Sequence, residues 1–131
     1  MQFRLWQRRQ AEGEETARLV REAGGQAVFV QTDVRDTEQV QRLIQAAVEG
    51  GGRLDCAFNN AGIEGDAFVH TADYSETTWN DIIAINLTGV FLSMKYELQQ
   101  MRKHGSGTIV NMSSIAGLVG GAVGSPPPNM E

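Results

Sequence analysis

Cysteine is nearly missing from this chain. Cys56 is the only one in 131 residues, so no disulfide forms within it and no cysteine cluster holds a metal. Zinc-finger and disulfide-scaffold readings are excluded, and a reducing compartment suits the composition. Proline is equally scarce, its three residues forming one run at Pro126–Pro128, where neither a helix interior nor a central strand can pass. No stretch approaches the roughly 18 consecutive apolar residues of a membrane span. The N-terminal residues Met1–Arg9 lack the apolar run of a secretory signal, so the cytoplasm is the expected location. Positive charge is short as well, with 11 Lys and Arg against 16 Asp and Glu, a formal net charge of -5 and no basic tract. Such a chain attracts neither a phosphate backbone nor anionic lipid, so neither nucleic acid nor a membrane is expected as a partner.

What is present is an alternation. From Glu12 to Ala23, Thr16, Val20 and Ala23, with Leu19 alongside, recur at helical spacing before Gly24-Gly25. Gln26–Gln31 is short and rich in β-formers, the pattern of a buried strand. Asp36 then offers an N-cap, with Gln39 three residues on, to a helix whose apolar face is Val40, Leu43, Ile44, Ala47 and Val48 and whose end is Gly50–Gly52. Leu54–Phe58 is a second strand, with Cys56 expected as a small core residue. It runs into Asn59-Asn60-Ala61-Gly62, residue types that tolerate unusual backbone angles. A long helix capped by Ser75 follows to Lys103, its expected face carrying Trp79, Ile82, Ile83, Asn86, Val90, Met94, Leu98 and Met101. Gly107–Met112 is a third strand, and Ser113-Ser114 follows it.

Helix and strand in strict alternation imply parallel strands joined by right-handed crossovers, a partial doubly wound, Rossmann-like α/β sheet flanked by helices. Ligands in such sheets sit at the carboxyl ends of the strands. Those ends are Thr32-Asp33-Val34, Asn59–Gly62 and Asn111–Ser114. His70, near Asp66 and Asp73, lacks the convergent partners of a metal site, and no metal is expected.

Asp33-Val34 after a strand, Asn59-Asn60-Ala61-Gly62, Asn86 within Ile85–Gly89, and Ile109–Ser114 together resemble the short-chain dehydrogenase/reductases, over about Glu12 to Gly124. The resemblance implies an NAD- or NADP-dependent oxidoreductase that interconverts a small-molecule alcohol and ketone by hydride transfer. It implies that Asp33 accepts from the adenine amino group with Val34 beside the ring, and that Asn60, Ala61 and Gly62 let the backbone pass close to the adenosine ribose. Asn86 matches the asparagine whose helical irregularity frees a carbonyl for a proton relay. Ser114 matches the serine that polarises the substrate oxygen, with Ser113 the adjacent alternative. Taken without the resemblance, the same residues read as turn, packing and cap residues.

Two departures accompany it. The family's general acid/base is the tyrosine of Tyr-x-x-x-Lys, whereas Tyr74 and Tyr96 are followed four residues on by Thr78 and Gln100. The family's glycine-rich pyrophosphate loop has no counterpart in Met1–Ala11, where Arg8 and Arg9 offer charge for a 2′-phosphate instead. Residues 1–131 are therefore expected to be a single incomplete dinucleotide-binding domain with atypical ends at 1–11 and 125–131, inactive in isolation and binding NAD or NADP weakly or not at all. Phe3–Trp6 is expected to be at most a short substitute edge, leaving a gap in mid-sheet where the family's first strand sits. The resemblance also implies a homo-oligomer through helix 75–103. The alternatives are a non-catalytic nucleotide- or subunit-binding remnant, or the non-functional product of a truncated gene.

Overall fold

A computed structural model describes residues 2–66 and 69–118. The end at 125–131 and most of the glycine-rich stretch before it lie outside the described residues. The elements in order are β1 (Gln2–Gln7), α1 (Gln10–Glu22), β2 (Gln26–Gln31), α2 (Thr37–Gly51) and β3 (Cys56–Asn59). A 3₁₀ turn at Thr71–Asp73 then leads to α3 (Glu76–Ile82), a π-helix (Ile83–Gly89), α4 (Val90–His104), β4 (Thr108–Asn111) and a last 3₁₀ turn (Ile115–Gly117).

The strands pair in parallel as the alternation requires, but in two separate pairs. β1 pairs with β2 from Gln2 opposite Gln26 to Gln7 opposite Gln31, and β3 pairs with β4 from Cys56 opposite Thr108 to Asn59 opposite Asn111. Among the described residues no ladder joins β1·β2 to β3·β4, which matches the gap implied in mid-sheet. The first strand corrects an expectation. It is no short edge at Phe3–Trp6 but a six-residue strand matched along its whole length to β2. The physical reason is α1, whose 13 residues carry the chain far enough back to pair in parallel, as a tight turn cannot.

Each helix is set by local chemistry, and two of them present a different face from the one the apolar pattern suggests. In α1 the buried positions are Gly13 and Ala17, with Val20 half-buried, while Thr16, Leu19 and Ala23 are exposed. Small residues win because the helix lies close on β2: any Cβ at Gly13 would overlap the Phe29 ring. α2 follows its pattern closely. The Asp36 carboxylate accepts from the Glu38 and Gln39 N–H groups, Val40, Leu43 and Ile44 are buried, and Gly52 closes the helix at φ 79°, a backbone angle that favours glycine.

In the long helix Ser75 caps the start by accepting from the Thr78 N–H. The buried positions from the end of the π-helix onward are Gly89, Ser93, Glu97 and Met101, not Val90, Met94 and Leu98, and Trp79 is exposed. Apolar spacing alone does not set this face; the close approach of Gly89 to Val34, which leaves no room for a Cβ, turns the small-residue side inwards.

The core consists of Ala17, Ala27, Val34, Val40, Leu43, Ile44 and Met101 among the described residues. Cys56, expected in it, is exposed. It lies on β3, which among the described residues pairs with β4 alone, and it lines the cavity beside that strand rather than a packed interior.

Candidate functional site

Parallel pairing sends the carboxyl ends of each strand pair the same way, and the chain there is polar or small. A cavity of about 1250 Å³ opens beside β3 and α2. Its lining includes Arg8 and Arg9 after β1, Thr32, Asp33 and Val34 after β2, and Asn60–Ile63 after β3. All five residues with an expected cofactor role, Asp33, Val34, Asn60, Ala61 and Gly62, therefore meet in one space.

Asp33 is held by Arg35. The guanidinium donates from Nε to Oδ1 at 3.0 Å and from Nη2 to Oδ2 at 2.7 Å, and the Arg35 backbone N–H adds a bond to Oδ1 at 3.0 Å. These bonds hold the Asp33 carboxyl below the usual carboxylate range against the opposing effect of its partial burial, and the charge of Arg8 adds to them. Arg35 also reaches Asp81 at 3.1 Å, tying the end of β2 to α3. Val34 is buried, its methyl groups close on Gly89. Its branched side chain is a packing group on one side and cavity lining on the other.

Asn86 sits in the π-helix and grips the loop after β3 at one residue. Its Oδ1 accepts from the Ile63 N–H at 2.9 Å, and its Nδ2 donates to the Ile63 carbonyl at 2.8 Å. Gly62 lies beside the same side chain, where a Cβ would come within 3.7 Å of Asn86 Oδ1. That residue thus reaches the cavity through Ile63. Ser114 follows β4, exposed, with its carbonyl accepting from the Gly117 N–H at 3.0 Å. Ser113 and Ser114 lie at the β4 exit, outside the cavity lining. Among the described residues no group of three His, Cys, Asp or Glu gathers as metal ligands, and no helix is long and apolar enough to cross a membrane.

A buried polar cluster was not legible in advance. Asn59 Nδ2 donates to Glu97 Oε2 at 3.0 Å and to Asn111 Oδ1 at 2.9 Å, while Asn111 Nδ2 approaches Met94 Sδ at 3.2 Å. The Asn59 carbonyl accepts from the Met112 N–H at 2.9 Å. Burial pushes the Glu97 carboxyl above its ordinary range, and the bond from Asn59 opposes that shift. The one signal in the sequence was a glutamate in the inner half of a helix whose neighbours are apolar.

The fold and its motifs have close parallels. A family profile described as short chain dehydrogenase matches residues 1–126. An uncharacterized oxidoreductase of Thermotoga maritima is 43% identical over 109 residues, covering 82% of this chain and 41% of that protein. The cis-4-hydroxycyclohexanecarboxylate dehydrogenase of Sinomonas cyclohexanicum is 46% identical over 114 residues, covering 86% of this chain and 45% of that protein. Among solved structures, an NAD+-bound xylitol dehydrogenase superposes with a TM-score of 0.85 at 35% identity, covering 97% of this chain and 46% of that one. A variant of the actinorhodin polyketide ketoreductase with NADPH gives a TM-score of 0.86 at 34% identity, covering 92% and 46% respectively. The chain thus spans less than half the length of each of these proteins.

Proposed function

The chain belongs to the short-chain dehydrogenase family, and from that premise we propose that it forms the adenosine-binding half of an NAD(P)-dependent oxidoreductase acting on an alcohol or its ketone. The observation that carries this reading is the gathering of Asp33, Val34, Asn60, Ala61 and Gly62 around one cavity at the carboxyl ends of parallel strands. The residues fit an adenosine. Asp33 presents acceptor oxygens at the rim, Ala61 and Gly62 keep the β3 exit narrow in side chain, and Arg8 and Arg9 bring positive charge to the same space. The dinucleotide, when bound, supplies or accepts the hydride.

The rest is the work of this chain's own residues. Asn86 holds Ile63 and so fixes the loop that borders the adenosine side. Ser114, at the β4 exit, is the hydroxyl proposed to hydrogen-bond the substrate oxygen, and Asn86 the residue proposed to orient a water for the proton relay. Neither tyrosine in the sequence carries the Tyr-x-x-x-Lys spacing, so the proposed acid/base lies outside these 131 residues and the segment alone is expected to bind without turning over.

Calorimetric titration with NAD and NADP tests the binding. Saturable binding by the wild type, weakened in Asp33→Ala, is the expected result, and no binding at millimolar nucleotide overturns it. In a longer chain that reduces ketones, Ser114→Ala is expected to lower kcat by about 10²–10³-fold.

Association of subunits is a second reading, favoured by exposed apolar residues. Leu87, Phe91 and Leu98 are exposed at spacings of four and seven, along one side of the long helix. A homodimer through that side is expected, with Phe91→Glu shifting the sedimentation equilibrium towards monomer.

A further inference from the structure

Glu97 is a charged residue type at 4% exposure on α4, and the proposed chemistry gives it no part. Burial of a carboxyl in that position is costly unless its bonds accomplish something. Its partner is Asn59, the last residue of β3 and itself 3% exposed. Both hydrogen bonds from Asn59 Nδ2 are directional. One goes to Glu97 Oε2 on the helix and the other to Asn111 Oδ1, the last residue of β4. The Asn59 carbonyl takes the N–H of Met112, the first residue beyond β4.

A single side-chain amide thus joins three elements at the point where two strands end. Asn60–Gly62 begins one residue beyond Asn59, and Ser113–Ser114 begins two residues beyond Asn111. The cluster also has one free rotation to lose. An Asn side chain that donates from one nitrogen to two acceptors is oriented by whichever acceptor is fixed, and Asn111 stands on a strand that, among the described residues, pairs only with β3. Glu97 stands on a helix of 15 residues with its own backbone ladder, so it is the fixed acceptor.

The geometry points to Glu97 as a positioning residue that, through Asn59, locks the exits of β3 and β4 in mutual register and so sets the nucleotide-facing and substrate-facing loops together. The inference deepens the proposed nucleotide site and rests on it for its functional half. The lock itself requires no ligand.

The test uses the 131-residue chain labelled for NMR, with Glu97→Leu, which keeps volume and helix propensity, and Glu97→Gln, which keeps an acceptor oxygen for Asn59. Without ligand, E97L is expected to raise amide exchange at Met112 by about tenfold, the worth of one buried hydrogen bond, while E97Q stays near wild type. The Asn59 side-chain amide resonances are expected to move in both variants. Unchanged Met112 exchange and an unchanged Asn59 amide in E97L overturn the lock. Should E97L lose its helical circular dichroism, the wild type and E97Q decide the matter alone, and an Asn59 amide that does not move between them overturns it. With 5′-AMP as probe, E97L is expected to bind several-fold more weakly and E97Q like wild type. A wild type that does not bind 5′-AMP defeats the nucleotide reading but leaves the lock standing. Equal 5′-AMP affinity in all three, with the lock intact, overturns the positioning role.

Discussion

Asn86 takes both backbone polar groups of Ile63, accepting from its N–H at 2.9 Å and donating to its carbonyl at 2.8 Å. Only a side-chain amide does this, since it carries a donor and an acceptor in one plane at the spacing of a peptide group. Twenty-three residues separate the two in sequence, so the pair closes the loop after β3 onto the π-helix.

Replacement of Asn86 is therefore expected to free that loop. Asn86→Ala should cost about 1 kcal/mol, the worth of exposed neutral hydrogen bonds, and Asn86→Asp should cost at least as much because its carboxylate faces the Ile63 carbonyl. Amide exchange at Ile63 and the urea midpoint check both. Exchange unchanged in N86D would show that the donor half of the pair contributes nothing.

Gly89 is closed to substitution for a reason of space. A Cβ there would lie 2.7 Å from Val34 Cγ2 and 3.0 Å from Val34 Cβ, against a branched and buried side chain. Gly89→Ala is expected to destabilise by about 1–3 kcal/mol despite the better helix propensity of alanine. Val34→Ala in the same chain should recover part of that loss in a double-mutant comparison by chemical denaturation.

Two carboxylates are expected to pull the pH dependence of stability in opposite directions. Asp33 binds its proton less readily in the fold than when unfolded, so its contribution is present above the ordinary carboxylate range and is lost as pH falls through the lowered value. Glu97 binds its proton more readily in the fold, so its contribution is full below the ordinary range and fades as pH rises through the raised value. Urea midpoints taken from about pH 2 to neutrality should show Asp33→Asn falling behind wild type as pH rises from the lowered value to about 4, and E97Q gaining on wild type as pH rises above the ordinary carboxylate range. Parallel curves for wild type and E97Q would contradict the raised affinity of Glu97.

Arg8 and Arg9 line the same cavity as Asp33. Arg9 is already paired with Glu12 at 3.1 Å, whereas the charge of Arg8 is felt at Asp33. A phosphate on the ribose 2′ position would meet that guanidinium, so 2′,5′-ADP is expected to bind about tenfold more tightly than 5′-AMP. Arg8→Gln should abolish the difference. Equal affinities in the wild type would assign no phosphate to these arginines.

The parallel α/β plan was legible because its signals are local and repeated. Asp36 and Ser75 cap the helices they were expected to cap, and Gln26–Gln31 is a strand over those same residues. The cavity residues were legible through motifs, Asp33-Val34 and Asn60-Ala61-Gly62, whose place at strand ends follows from the alternation. What was not legible depends on spacing that hydrophobicity does not encode. Gly13 and Ala17 bury because they are small, and Leu19 is exposed although it is apolar. Cys56 is exposed because β3 is paired on one side among the described residues, a property of the sheet rather than of the residue. Glu97 reads as a solvent residue by type, and its place inside depends on Asn59, a partner remote in sequence.

The seven residues Ile83–Gly89 act as a phase coupling in a shaft. Asn86 within it holds the loop at Ile63, and Glu97 behind it holds Asn59, and each engagement fixes one angular setting. Winding these same seven residues as ordinary α-helix would rotate one half against the other by about 100°. Asn86 could then keep Ile63, or Glu97 could keep Asn59, but not both. Winding in this stretch is thus more constrained than composition: a change of side chain loses one contact, whereas a reversion to α-helix uncouples the two halves of the site.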